Sequence, residues 1–207
     1  MMQSIISAVF FLSSFFAVIL AQETNTITYG SAVKLVHKES SHLLHSHVIT
    51  WGSGSGQQSV TSTDSKSDPG SLWVVRGPSH SSVSFDISTP IMCGSVISLE
   101  HATTGKILHS HLFKAPLSGN QEVSGFHEND TGNNWIVECE GKDKYWTRGH
   151  VVSFRHADTS KYLSTSDQFK FTQMNCGMQC PIMVSLYIFI FDILVNKYLY
   201  ILYRSIL

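Results

Sequence analysis

Apolar and polar positions alternate with period two in three windows of the chain, GSAVKLVH at 30–37, GSVISLEH at 94–101 and GHVVSFRH at 149–156. A glycine opens each copy (Gly30, Gly94, Gly149) and a histidine closes it (His37, His101, His156). Between them lie two apolar residues two positions apart: Val33 and Leu35, Ile97 and Leu99, Val152 and Phe154. That spacing places the apolar pair and the histidine on one face of a strand, with mostly polar residues such as Lys34, Ser98 and Ser153 on the other. Each window then crosses a polar cluster into a second apolar pair, Leu43-Leu44, Ile107-Leu108 or Tyr162-Leu163. The pattern predicts a hairpin, three times over. A lone hairpin buries too little apolar surface to be stable, so the three are expected to share one core.

The repeating unit extends past the hairpin. WGSGSG at 51–56 leads to QQSV, PLSGN at 116–120 leads to QEVS, and Gly70 and Gly132 stand three residues before Trp73 and Trp135. About four strands per unit are expected, with the late tryptophan packed inward. The units run over about 30–92, 94–148 and 149–182. In the third, Ser164 and Ser166 replace the histidines of the repeated L-H-S-H (His45 and His47, His109 and His111), and no Q-E-V segment follows Pro181. That unit therefore reads as incomplete, which would leave one barrel edge open and apolar surface uncovered.

Residues 183–207 form an apolar tail interrupted by Asp192, Asn196, Lys197 and Arg204. The stretch 182–203 is long enough to span a bilayer, but each charge near its centre opposes insertion by roughly 2.5–3.5 kcal/mol. Two readings stand, a membrane-associated segment and a replacement tail from an alternative transcript or gene-model error, and the internal charges favour the second. At the other end, the apolar run 5–20, ending at Ala21 before Gln22-Glu23-Thr24, fits a secretory signal peptide over 1–21.

Secretion changes the reading of the cysteines. Cys93 and Cys139 bracket the second unit. They could be joined as a disulfide contributing about 3–4 kcal/mol in an oxidising lumen, or stand as two separate thiols. Cys176 and Cys180, spaced C-x3-C, fit neither a redox motif nor a convincing zinc half-site. Asn129-Asp130-Thr131 is the one N-x-[ST] sequon, a candidate glycan site on a polar stretch. With 207 residues, 43% hydrophobic, 14% charged and a net charge of -1, the chain is one or two globular domains without the basic footprint of a nucleic-acid binder.

His45-x-His47 and His109-x-His111 each put two imidazoles on one strand face, a spacing that can ligate zinc or copper. Ser164 and Ser166 exclude a threefold cluster, and no cysteine or carboxylate stands at a fixed companion spacing. These histidines are therefore assigned a structural role, bonding turn carbonyls. No G-x-S-x-G, H-E-x-x-H or C-x-x-C motif is present, so neither catalysis nor a cofactor is expected.

The repeated G-S-x-x-x-L-x-H…L-H-S-H, with G-S-G-Q-Q-S-V and G-N-Q-E-V, resembles the MIR repeat. A signal peptide followed by three such repeats resembles the stand-alone MIR proteins of the stromal cell-derived factor 2 family, over about 27–182. The resemblance implies an all-β fold, a β-trefoil of three four-stranded units. It also implies a non-enzymatic protein of the endoplasmic reticulum lumen, or a secreted one, that works with a DnaJ-type co-chaperone and the lumenal heat-shock ATPase chaperone on unfolded clients. Family members commonly end in an HDEL-like retrieval signal, whereas this sequence ends Arg204-Ser205-Ile206-Leu207, so retention is expected to depend on a partner or on the tail. The alternatives are a carbohydrate-binding trefoil, for which Trp51, Phe113 and Phe169 are the candidate aromatics, and a MIR module linked to protein O-mannosylation.

Overall fold

A computed structural model describes residues 25–172 and the backbone of two further strands, Met183–Phe189 and Leu199–Ile206. The expected signal peptide over 1–21, and Cys176 and Cys180, lie outside the described residues. Twelve strands form one sheet. They are β1 Ser31–His37, β2 Leu43–Thr50, β3 Gln58–Thr63, β4 Trp73–Arg76, β5 Val96–His101, β6 Ile107–Lys114, β7 Gln121–Phe126, β8 Trp135–Cys139, β9 Val152–His156, β10 Tyr162–Phe171, β11 Met183–Phe189 and β12 Leu199–Ile206. Among the described residues the only helical turns are two short 3-10 segments, Pro69–Ser71 and Thr131–Asn133.

Six strands close a ring. β4 pairs with β1 and β5, β8 with β5 and β9, and β12 with β9 and β1, all antiparallel. The other six form the pairs β2–β3, β6–β7 and β10–β11, and β3, β7 and β11 contact one another across one end of the ring. The fold is thus all-β, a closed barrel with extra strands.

The expected hairpins form only at their turns. β1 meets β2 at Val36 and Leu43, β5 meets β6 at Glu100 and Ile107, and β9 meets β10 at Arg155 and Tyr162. Beyond that pair the returning strand leaves, because both edges of β1, β5 and β9 are already taken by ring neighbours; it pairs with the strand that follows it instead. The glycines that open the ring strands have φ of 81°, 88° and 79° at Gly30, Gly94 and Gly149, a left-handed turn that any side chain would strain.

Equivalent residues fill the interior in layers. Val33, Ile97 and Val152 are fully buried, as are Leu35, Leu99 and Phe154, and Leu44, Leu108 and Leu163 pack with them. Trp73 and Trp135 are buried among them, packed inward. The polar face of the ring strands is less open than alternation alone predicts. Ser98 and Ser153 are buried, Ser98 donating to the Gly77 carbonyl under the 76–93 linker.

The third unit is not left incomplete. β12 pairs with β1 from Ser31–Ile206 to His37–Leu199 and touches β9 at Val152, while β11 pairs with β10, β3 and β7. The barrel edge predicted to stay open is therefore covered by strands from within 183–207. Backbone pairing requires extended, β-favouring residues rather than the missing Q-E-V motif, and the sequences MVSLYIF and LYILYRSI supply them. Among the described residues no helix is long and apolar enough to cross a membrane.

Cys93 and Cys139 form a disulfide between the entry to β5 and the end of β8, with Cα atoms 5.6 Å apart and 46 positions enclosed. Replacing both by serine should lower unfolding free energy by about 3–4 kcal/mol, read from denaturant midpoints under non-reducing conditions. A chain ending at residue 182 should lose cooperative thermal unfolding, since β1, β9, β10 and β3 would each lose ring or cap partners; calorimetry of the truncated and full chains checks this.

Candidate functional site

His101 and His156 form a joint between successive units, whereas His45, His47, His109 and His111, expected to bond turn carbonyls, show no such bond among the described residues. His101 closes β5, where its Nε2 lies 2.9 Å from the Gly70 carbonyl of the preceding unit and its Nδ1 lies 2.8 Å from Thr104 Oγ1. His156 repeats this one unit on, with Nε2 3.0 Å from the Gly132 carbonyl and Nδ1 2.9 Å from Thr159 Oγ1. A carbonyl can only accept, so Nε2 carries the proton and Nδ1 accepts the threonine hydroxyl. The imidazole is then satisfied while neutral. His37 shows the same inner half, with Nδ1 2.9 Å from Ser40 Oγ.

The joint continues into side chains that the sequence did not single out. Gln58 Nε2 donates to Thr104 Oγ1 at 2.9 Å and to Ser46 Oγ at 2.8 Å, and Ser46 in turn donates to the Ser59 carbonyl. Gln121 does the same one unit later, reaching Ser110 Oγ at 3.0 Å and Thr159 Oγ1 at 3.3 Å. The indole N–H of Trp73 donates to the Leu44 carbonyl, and its ring centre lies 4.9 Å from that of His101. Trp135 donates to the Leu108 carbonyl and lies 5.0 Å from His156. The signal was present as repetition: Gln58 and Gln121 stand at matching places, and Thr104 and Thr159 each lie three residues after their histidine.

The first histidine of each L-H-S-H packs on the 3-10 turn of its own unit. A Cβ on Gly70 would lie 2.7 Å from His45 Cε1 and 2.5 Å from the Ser46 carbonyl. One on Gly132 would lie 2.5 Å from His109 Cε1 and 2.6 Å from the Ser110 carbonyl. Asp68 and Asp130 cap these turns by accepting from the Gly70 and Gly132 N–H groups, each at 2.7 Å. His109 Nδ1 donates to Asn133 Oδ1 at 2.9 Å, and its Nε2 meets His111 Nδ1 at 3.3 Å. His111 Nε2 lies 3.7 Å from Glu122 Oε1; that carboxylate is fully buried and accepts from Ser55. His45 and His47 stand with ring centres 5.3 Å apart, and His45 faces Asp68 at 3.5 Å. Among the described residues no group of three or more histidine, cysteine or acidic side chains is placed to hold a metal ion.

Burial holds the His45, His47, His101, His109 and His156 imidazoles below the usual histidine range, because the charged form would lose hydration there. The unfolded chain thus binds protons at a higher pH than the folded one.

The second surface feature is apolar. β2 and β3 fall out of register between Ser46 and Thr50, and β6 and β7 between Ser110 and Lys114. These bulges hold Val48, Ile49, Leu112 and Phe113 outward, 81%, 59%, 83% and 50% exposed. The third bulge, between Thr165 and Lys170, carries exposed Asp167 and Gln168 instead. A cleft of 310 Å³, lined by Val48, Gln57, Lys106 and Phe126 among others, lies beside the first tip. Trp51 is not available as an exposed platform; it is buried, with its N–H donating to the Val123 carbonyl at 3.1 Å. Within the polar stretch 62–71, which the sequence alone would place in a loop accessible to partners, only 64–67 and Pro69 are exposed, because Ser62 and Thr63 belong to β3 and Ser71 to the buried 3-10 turn. Asn129 is exposed.

A closed barrel whose successive units are joined by buried histidines defines an all-β scaffold with repeated hairpin tips on its surface. No protein-family model matches the chain. It is 48% identical over 151 residues to the stromal cell-derived factor 2-like protein of Dictyostelium discoideum, covering 70% of each chain. It is 46% identical over 153 residues to human stromal cell-derived factor 2, covering 72% of this chain and 71% of that one. The crystal structure of the SDF2-like protein from Arabidopsis thaliana superposes with a TM-score of 0.79 at 36% identity, covering 88% of this chain and 97% of that one. The chain belongs to the stromal cell-derived factor 2 family. At the level of fold alone it is also similar to part of the S. cerevisiae protein O-mannosyltransferase Pmt1-Pmt2 complex, with a TM-score of 0.73 at 22% identity over 87% of this chain and 25% of that one. The designed 3-fold symmetric protein ThreeFoil matches with a TM-score of 0.52 at 12% identity over 82% of this chain and 96% of that one. The curated relatives are named as factors rather than enzymes, and together with the disulfide they fit a secretory-pathway protein.

Because the joint histidines are neutral when folded, stability should be full above about pH 6.5 and fall progressively as pH drops below it. Denaturant midpoints at pH 7.5 and 5.5 measure this. His101→Gln and His156→Gln should each cost roughly 1–3 kcal/mol at pH 7.5 and flatten the pH dependence.

Proposed function

We propose that the chain is a non-enzymatic protein-binding module of the endoplasmic reticulum lumen, a β-trefoil of three MIR repeats. It acts with a DnaJ-type co-chaperone and the lumenal heat-shock ATPase chaperone in folding and quality control of secretory proteins. The observation that carries this reading is the pair of equivalent bulges that expose Val48-Ile49 and Leu112-Phe113. Apolar side chains held out on a hydrogen-bonded sheet provide area for contact with partly unfolded chains, whose own apolar residues are uncovered. The buried histidines do no chemistry in this reading; they hold the two tips at a constant separation. Membership of the stromal cell-derived factor 2 family and the disulfide support the lumenal setting.

A second reading, a MIR module linked to protein O-mannosylation, is favoured by the fold-level likeness to the Pmt1-Pmt2 complex. It predicts association with a mannosyltransferase instead of a co-chaperone. For the carbohydrate-binding alternative, burial of Trp51 removes one of the three aromatics that would have lined equivalent pockets.

Substituting Val48, Ile49, Leu112 and Phe113 together by serine should leave the thermal midpoint nearly unchanged, since all four are exposed. The variant should lose suppression of aggregation of a reduced, denatured client and co-isolation with a lumenal DnaJ-type protein. Retention of both activities would refute the proposal.

A further inference from the structure

The described surface holds one more feature that the barrel and its apolar tips do not use, the segment 129–131 between β7 and β8. Asn129-Asp130-Thr131 is the only N-x-[ST] triplet in the sequence. Its three side chains are each held by the fold, yet the Asn129 amide nitrogen stays free. Asn129 is exposed, and its Oδ1 accepts from the His80 N–H at 2.9 Å, tying the β7–β8 connection to the 76–93 linker. Asp130 Oδ1 accepts from the Gly132 N–H, capping the 3-10 turn. Thr131 Oγ1 donates to Asp158 Oδ2 at 2.8 Å in the following unit. Asn129 Nδ2 has no hydrogen-bond partner among the described residues.

We infer that Asn129 is an N-glycosylation site, with Nδ2 carrying an oligosaccharide. The modification changes only the atom the fold leaves unused. A glycosylated amide keeps its carbonyl oxygen, so the bond from His80 survives, and neither the Asp130 cap nor the Thr131–Asp158 bond involves the substituted nitrogen. Attachment at a buried or doubly bonded asparagine would instead break contacts that the folded chain needs. The donor is a polyprenyl-pyrophosphate-linked oligosaccharide. Asn129 Nδ2 forms a bond to the sugar C1, the bond from C1 to the pyrophosphate oxygen breaks with its electron pair leaving on the polyprenyl pyrophosphate, and the amide proton passes to a base of the transferase. The Thr131 hydroxyl is required while the chain is still unfolded and is released to bond Asp158 on folding. The glycan then projects from the rim between the 76–93 linker and the 157–160 turn, two residues from His127 at the cleft beside β7.

The inference rests on the lumenal reading above, and the test separates the two. The full chain and its Asn129→Gln, Thr131→Ala and Thr131→Ser variants are expressed in eukaryotic cells. Lumenal entry is scored by protease protection and by the Cys93–Cys139 crosslink in a non-reducing peptide map. The expected result is the mass shift of one glycan in the unmodified sequence and in Thr131→Ser, and its loss in Asn129→Gln and Thr131→Ala. A peptide N-glycosidase, which hydrolyses the glycosylated side-chain amide, should remove the glycan and leave aspartate at position 129. Because Thr131→Ser keeps a hydroxyl, it distinguishes loss of the sequon from loss of the Asp158 contact. A protected, crosslinked chain that is unmodified at 129 overturns the inference alone; an unprotected, unmodified chain overturns it together with the lumenal reading. A shift that persists in Asn129→Gln overturns it as well.

Discussion

The joint in which a neutral histidine bridges two units is the interaction on which the arrangement depends. β5 and β9 each end on an imidazole that donates to a glycine carbonyl in the preceding unit and accepts a hydroxyl from its own turn. A ring charged at both nitrogens still donates from Nε2 to the carbonyl, but its Nδ1 can no longer accept the hydroxyl, and exposure to water would weaken both bonds. The joint therefore requires burial, and the tryptophan packed beside each imidazole provides it. In a low-dielectric interior a polar network is stabilising only when every member is paired. Here the pairing extends through Thr104 to Gln58 and Ser46, and through Thr159 to Gln121 and Ser110, with Gln121 Oε1 the one atom of these amides left buried without a partner among the described residues. A local turn in one unit is thereby fixed to the hairpin of its neighbour.

The register shifts in β2, β6 and β10 set what reaches the surface. The residues just past the L-H-S-H histidines cannot stay in register, because two β2 positions must be accommodated outside the ladder between Ser46 and Thr50, and likewise in β6. The bulge turns Val48-Ile49 and Leu112-Phe113 away from the core at matching places. In the third unit, where serines replace the histidines, the corresponding tip is Asp167-Gln168. Among the three tips, exposed apolar side chains accordingly stand on two, and the tips are not equivalent despite their repeated pairing.

Much of this was legible in the order of residues. Period-two alternation located β1, β5 and β9, three of the six ring strands, the glycines at 30, 94 and 149 marked where they open, and Gly70 and Gly132 stood before the buried tryptophans. The candidate site was less so. Repetition singled out the histidines, yet the same spacing suits a metal ligand or a hydrogen-bonded joint, and only the atoms facing each ring distinguish the two. Gln58, Gln121 and Asn133 carried no signal of burial, since amides are usually exposed; their burial follows from partners supplied by distant strands.

The sequence by itself determined β1, β5 and β9, their repetition and their inward residues, because side-chain periodicity and glycine conformation are local properties. Only the tertiary structure decided which edges pair. Whether β2 stays with β1 or leaves for β3 depends on β4 and β12 already occupying both edges of β1, and that competition is settled by strands far away in the chain. The same reason explains the tail. A motif comparison ends the third unit at residue 182, but hydrogen-bonding edges accept any extended backbone, and 183–189 and 199–206 take those positions.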